Sequence, residues 1–163
     1  MEGDDHLKIT IPAIIGVQAA GSASIARAWE QTADLRTKPL QAIDAVTVAD
    51  SISAGIPRDP LRALEAATKT GGAYVTVTDG EILHAMPEFA RKTGVFAEPA
   101  GSATLAGVFK AKAQGLIRPG SSLVLINTGN GLKDIVSAKK SVSDSTEQRV
   151  KKGDLAAIEA IFK

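Results

Sequence analysis

The stretch Ser122-Leu-Val-Leu-Ile-Asn-Thr128-Gly-Asn-Gly-Leu-Lys-Asp134 constrains this chain more than any other, because an unbroken apolar run stops at a hydroxyl and opens into a two-glycine turn. Apolar residues without polar alternation fit a strand covered on both faces, the pattern of a parallel α/β sheet. Ligands of such sheets collect at the carboxyl ends of the strands, here Asn127 and Thr128. Gly129 and Gly131 let the backbone turn tightly and approach a ligand with no Cβ in the way. Thr128 is the first candidate for a working residue. A plain strand followed by a polar turn would carry the same residues, since short glycine motifs recur widely.

The rest of the chain alternates strand and helix signals. Ala13 to Val17 reads as a buried strand begun after Pro12, and Ile25, Ala28 and Trp29 form the apolar face of a short helix capped by Ser22 or Ser24. Val46 to Ile52 is a β-branched run leading to a turn at Ser53 to Pro57, and Asp59-Pro60 places an N-cap before a proline at the first helical position. Ala73 to Val77 alternates as a strand. Thr78 with Glu81 makes a capping box, opening a helix to about Thr93 whose buried face is Ile82, Leu83, Met86, Phe89 and Ala90. Val95 to Ala97 reads as a short strand, and the next helix, beginning near Ala100, carries Leu105, Val108 and Phe109 and stops at Gly115. Residues 31–45 are polar and irregular, with Pro39 in a loop. Such alternation predicts an α/β fold of three layers: a mostly parallel sheet of about four strands with helices on both faces.

Composition narrows the function classes. The chain has 163 residues, 44% of them hydrophobic, which suits one globular core. Its formal net charge of +1 comes from interspersed charges, and only 4% of residues are aromatic, so neither a basic stripe nor a base-stacking platform points to nucleic acid. Cysteine is absent, which excludes disulfides, thiolate metal sites and cysteine nucleophiles. The sequence contains neither an apolar run near twenty residues nor a basic-plus-apolar leader, so the expectation is a cytoplasmic protein with no membrane partner. Gly16 to Ser22 has the glycine spacing of a phosphate loop, but Ser22 stands where that loop needs lysine. His6 and His84 lack metal-ligand partners at suitable spacing, and no Gly-x-Ser-x-Gly elbow is present, so no metal site and no catalytic nucleophile is assigned.

Six motifs in order carry a resemblance: Pro12-Ala-Ile-Ile-Gly-Val-Gln-Ala-Ala-Gly21, Ala49-Asp-Ser-Ile-Ser-Ala-Gly-Ile-Pro57, Gly71-Gly-Ala73, Thr78-Asp-Gly-Glu-Ile-Leu83, Gly94-Val-Phe-Ala-Glu-Pro-Ala-Gly-Ser-Ala103 and Thr128-Gly-Asn-Gly-Leu-Lys-Asp134. Over residues 12–138 the chain resembles the carboxyl-terminal part of threonine synthase, of the tryptophan-synthase-β-like group (fold type II) of pyridoxal phosphate enzymes. Glu-Pro-Ala-Gly is shared with the threonine and serine dehydratases, whereas Thr-Gly-x-Gly-Leu-Lys-Asp favours threonine synthase.

The resemblance implies residues 1–138 as part of the large cofactor domain, with residues 139–163 as a polar linker and terminal helix. It implies that Thr128 sets its hydroxyl against the pyridine nitrogen of pyridoxal 5'-phosphate, that Ser51 and Ile52 lie beside the ring, and that Glu98 sits behind it. A hydroxyl does not hold a proton on that nitrogen as a carboxylate would, so the ring becomes a moderated electron sink. Glu98 serves equally well, on its residues alone, as the cap of the helix near Ala100, and Lys133 and Asp134 as the end of a turn or as a pair with each other.

The implied reaction converts O-phosphohomoserine and water to threonine and phosphate, by γ-elimination and addition of water at Cβ. The Schiff-base lysine and the phosphate-cradling loop match nothing here; Lys8, Lys69, Lys92, Lys110 and Lys112 stand in polar or helix-surface contexts. They belong to an amino-terminal half, the expected partner. Three readings stay open: a piece of threonine synthase inactive alone, half of a split enzyme such as a threonine/serine dehydratase, and a non-catalytic α/β binding module. Apolar surface left for that half to cover predicts a homo-oligomer.

Overall fold

The structure, a computed structural model, describes residues 11–31, 40–142 and 150–161. Two parallel strands form its centre, β1 (Ile15–Ala19) and β2 (Ala73–Val77), in a register that pairs Ile15 with Ala73 and Ala19 with Val77. Between them run α1 (Ser24–Glu30), a 3₁₀ turn at Asp50–Ile52, and α2 (Pro60–Lys69). After β2 come α3 (Asp79–Thr93), α4 (Pro99–Ala113), a 3₁₀ turn at Gly131–Lys133, α5 (Ile135–Ser141) and α6 (Leu155–Ile161).

Side chains alternate across a strand, so the register sorts the two faces. Val17 on one face packs so closely on α4 that a Cβ at Gly107 would collide with it. Tyr74, from the opposite set, reaches Trp29 of α1, their ring centroids 5.7 Å apart. Helices thus cover both faces of a parallel sheet, and the three-layer α/β class holds. The core is made largely of small residues: Ala19, Ala49, Ala85, Ala100, Ala103 and Ala106 surround Val77 and Ile82.

Several local signals fold as the residues dictate. Asp59 caps α2 by accepting from the Arg62 amide, with Pro60 at the first helical position. Thr78 and Glu81 form the capping box of α3: the Glu81 amide donates to Thr78 Oγ1 (3.2 Å) and the Thr78 amide to Glu81 Oε2 (2.7 Å). Gly94, left-handed at φ 74°, closes that helix. Ile82, Met86 and Phe89 are buried, while His84 is exposed.

Other expectations need correction. Among the described residues the sheet has two strands, not about four. Val46 to Ile52 is a loop ending in the 3₁₀ turn, because its polar groups bond elsewhere: the Thr47 hydroxyl and the Val48 amide both donate to the Asp79 carboxylate. Around Val95 to Ala97 the strand reduces to one antiparallel bridge, Ala97 to Asn130. Leu123 to Ile126 belongs to no ladder and leaves Val124 93% exposed. A run suited to cover on both faces finds neither cover nor a paired edge here. In α4 the fully buried residues are small ones, Leu105 packs against the core only in part, and Phe109 is exposed. Ser22 and Ser24 do not cap α1, whose N-cap position is Ala23. Pro39, His6 and Lys8 lie outside the described residues.

Candidate functional site

Three chain segments distant in sequence converge at the amino end of α4: the 3₁₀ turn at Asp50–Ile52, Glu98-Pro99-Ala100, and the turn that follows Thr128. They enclose a cleft of about 140 Å³ lined by Val48, Asp50, Ser51, Glu98, Lys133 and Asp134.

The loop carrying Ser51 and Ile52 is fixed from two sides. Ser22, fully buried, accepts from the Ala54 amide (2.9 Å), and its hydroxyl lies 3.3 Å from both the Ile52 and Ala54 carbonyl oxygens. Asp79 holds the other end through Thr47 and Val48. Ile52 packs on the core cluster, which leaves exposed Ser51 to face the cleft.

The Thr128 turn is docked on the segment before α4 by two backbone bonds, Glu98 N–H to the Gly129 carbonyl (3.0 Å) and Gly131 N–H to the Phe96 carbonyl (2.8 Å). Glu98 lies directly beneath Gly129: a Cβ there would overlap its carboxylate. The side chain of Asn127 is seated against Gly101 with no room for a methyl group between them. Asn130 closes the turn by accepting from the Leu132 amide (2.9 Å). Thr128 is left exposed at the apex.

Glu98 holds the N-cap position of α4, yet its side chain makes no capping bond. Its carboxylate is buried and pairs with the Lys133 ammonium at 3.1 Å. Lys133 also donates to Ser51 Oγ at 2.7 Å. Asp134 takes a separate task, capping α5 by accepting from the Ser137 amide at 2.9 Å. Hydrogen bonds from the Ser137 hydroxyl and amide hold the Asp134 carboxyl below its usual range.

Of the four sequence-derived candidates, Ser51 and Glu98 thus meet at the cleft, joined by Lys133. Ile52 serves the core, and Thr128 stands on the adjoining turn without lining the cleft. Sequence reasoning missed the tasks of Lys133, Ser22 and Asp79, and Lys133 pairs with Glu98, not with Asp134. Lys133 stood inside a recognised motif, but its partner is 82 positions away. Ser51 thus lines the cleft, and Thr128 stands exposed on the adjoining turn. Lys69, Lys92 and Lys110 are each paired with a carboxylate, Glu65, Glu88 and Glu81, unlike a desolvated amine nucleophile.

Over residues 3–129 the sequence matches a known family model, "Pyridoxal-phosphate dependent enzyme". The chain belongs to that family of pyridoxal-phosphate dependent enzymes. Within it, the chain is similar to threonine synthases. It is 39% identical to that of Halalkalibacterium halodurans over 132 residues, 81% of this chain and 34% of the relative. The threonine synthase of Mycobacterium leprae is 38% identical over 136 residues (83% and 35%), and that of Methanocaldococcus jannaschii 37% over 125 residues (76% and 30%). The chain therefore spans about a third of the length of the curated relatives it matches. Among solved structures, a T.th. threonine deaminase superposes with a TM-score of 0.47 at 19% identity, covering 61% of this chain and 34% of that one. No helix of the described residues is long and apolar enough to cross a membrane.

Proposed function

We propose that the chain acts as the carboxyl-terminal portion of a threonine synthase, working in the cytoplasm on O-phosphohomoserine and inactive alone. It contributes the ring-facing wall of the cofactor site to an amino-terminal half that brings the anchoring lysine and the phosphate loop. In this reading residues 1–138 belong to the cofactor domain and residues 139–163 form a linker and terminal helix. The observation that carries the proposal is Thr128, exposed on a turn that two backbone hydrogen bonds dock on the segment leading into α4.

When bound, pyridoxal phosphate supplies an electron sink for the carbanion chemistry that expels phosphate and admits water at Cβ. The chain's own task is orientation. Thr128 offers a neutral hydroxyl to the pyridine nitrogen, so no carboxylate holds a proton there. The loop of Ser51 and Ile52, set by Ser22 and Asp79, limits where the ring can lie. Glu98 supports the turn from below.

Mixing the chain with a separately purified amino-terminal half of a related threonine synthase tests this, with borohydride reduction to trap the cofactor and phosphate release to follow turnover. Turnover of O-phosphohomoserine in the mixture alone is the expected result. Turnover of threonine or serine to the oxoacid in its place would make the chain half of a dehydratase. Neither binding nor turnover would leave an α/β module without this activity.

A further inference from the structure

We propose that Lys133 is a positioning residue, which binds the Ser51 loop to the Thr128 turn across Glu98 and neutralises the one carboxylate buried beneath that turn. The inference rests on the reading of Thr128 as the ring-facing hydroxyl and adds a residue to it. Lys133 uses two of its three ammonium donors, one on Glu98 Oε2 at 3.1 Å and one on Ser51 Oγ at 2.7 Å. Its partners belong to separate segments, and the Glu98 side chain is only 6% exposed. A buried carboxylate without a countercharge is costly, and it relaxes by taking up a proton or by moving toward water or another donor.

Gly129 lies directly against the Glu98 carboxylate, so a shift of that carboxylate on loss of the cation acts on the Thr128 turn. The same loss frees Ser51, whose hydroxyl faces the cleft. Lys133 therefore does two things at once. It keeps the turn seated on the Phe96 to Glu98 segment, and it removes from the neighbourhood of the ring nitrogen a negative charge that would otherwise favour the protonated ring. Its exposed stem leaves the core intact when it is changed, since 62% of the side chain is in solvent.

Amide hydrogen exchange on the full chain tests the clamp without any cofactor. Lys133→Met should speed exchange about tenfold at the Glu98, Gly131 and Ser53 amides, whose acceptors are the carbonyls of Gly129, Phe96 and Asp50. Exchange at Ile82 and Phe89 in α3 should not change, which shows that the variant is folded. Lys133→Arg, which keeps the charge, should restore most of the protection. Equal exchange in wild type and Lys133→Met would overturn the clamp.

With the amino-terminal half and pyridoxal phosphate added, Lys133→Met should shift the visible band of the bound cofactor and lower kcat more than it raises KM. The double variant Lys133→Met with Glu98→Gln should return the band, because no uncompensated charge remains. A faster-exchanging turn with an unmoved band reduces Lys133 to a structural tie and overturns the positioning role. Failure of the wild-type mixture to bind cofactor counts against the proposed function and also overturns the role assigned to Lys133 at the ring, while the exchange data still decide the clamp.

Discussion

At Gly129 one hydrogen atom separates a tight fit from a collision, because any Cβ there would enter the Glu98 carboxylate. Gly80, in the first turn of α3, offers the contrast: its nearest neighbour to an added Cβ is Thr78 Oγ1 at 3.9 Å, an ordinary contact. Gly129→Ala should therefore destabilise the chain by about 1–3 kcal/mol, the usual range for overpacking. Gly80→Ala should stabilise it by about 0.5 kcal/mol, through the lower entropy of the unfolded chain. Urea unfolding followed by circular dichroism checks both, as midpoint shifts of opposite sign with the slope unchanged. At this scale the sequence was legible where a residue acts on near neighbours. Thr78 announced Glu81, and Asp59 announced Pro60. It was opaque where a side chain acts across the fold. Ser22 read as a cap and Lys133 as the end of a turn, and neither long-range partner leaves a trace in local spacing.

At the level of elements, α3 and α4 are joined through Glu81, which closes the capping box and also pairs with Lys110 at 3.0 Å. The hydrogen bond from the Thr78 amide, with smaller help from Lys110 and the Thr78 hydroxyl, holds the Glu81 carboxyl below the usual glutamate range against the opposing effect of burial. A lowered folded value means stabilisation that is complete above the unfolded value of about 4.3 and is lost as pH falls through the folded one. Acid titration should thus loosen the start of α3 below about pH 4. Glu81→Gln should flatten this part of the pH profile of stability, whereas a variant as pH-dependent as wild type over that range would contradict the assignment. Helix boundaries were readable because caps and glycines are local. The strands were readable only in part, because a strand is defined by its neighbour. Ala73 to Val77 finds β1, while Leu123 to Ile126, equally apolar, finds no ladder. The inward stripe of α4 was also hidden: Gly107 touching Val17 shows that close approach to the sheet, not side-chain bulk, selects which face is buried.

For the molecule as a whole, the apolar surface is the telling quantity. Val124, Ile126 and Leu132 lie exposed near the Thr128 turn, and β1 and β2 have one unpaired edge each among the described residues. Such features invite association. The isolated chain should self-associate as its concentration rises, and Val124→Asp with Ile126→Asp should shift sedimentation toward the monomer; a wild-type chain that stays monomeric at high concentration would contradict this. The parallel α/β class and the family were legible from the order of the motifs, and the family match over residues 3–129 agrees with it. The arrangement of the turn, the Ser51 loop and Glu98 became visible only in three dimensions. The central claim is that this arrangement presents Thr128 to the cofactor ring. Its most direct test is the visible absorption spectrum of pyridoxal phosphate bound to the mixture of this chain with an amino-terminal half, for wild type and Thr128→Val. A shifted band with cofactor still bound and turnover reduced about tenfold or more is the predicted result, as expected for loss of one hydrogen bond to a buried polar atom. An identical spectrum and identical turnover would show that Thr128 does not face the ring.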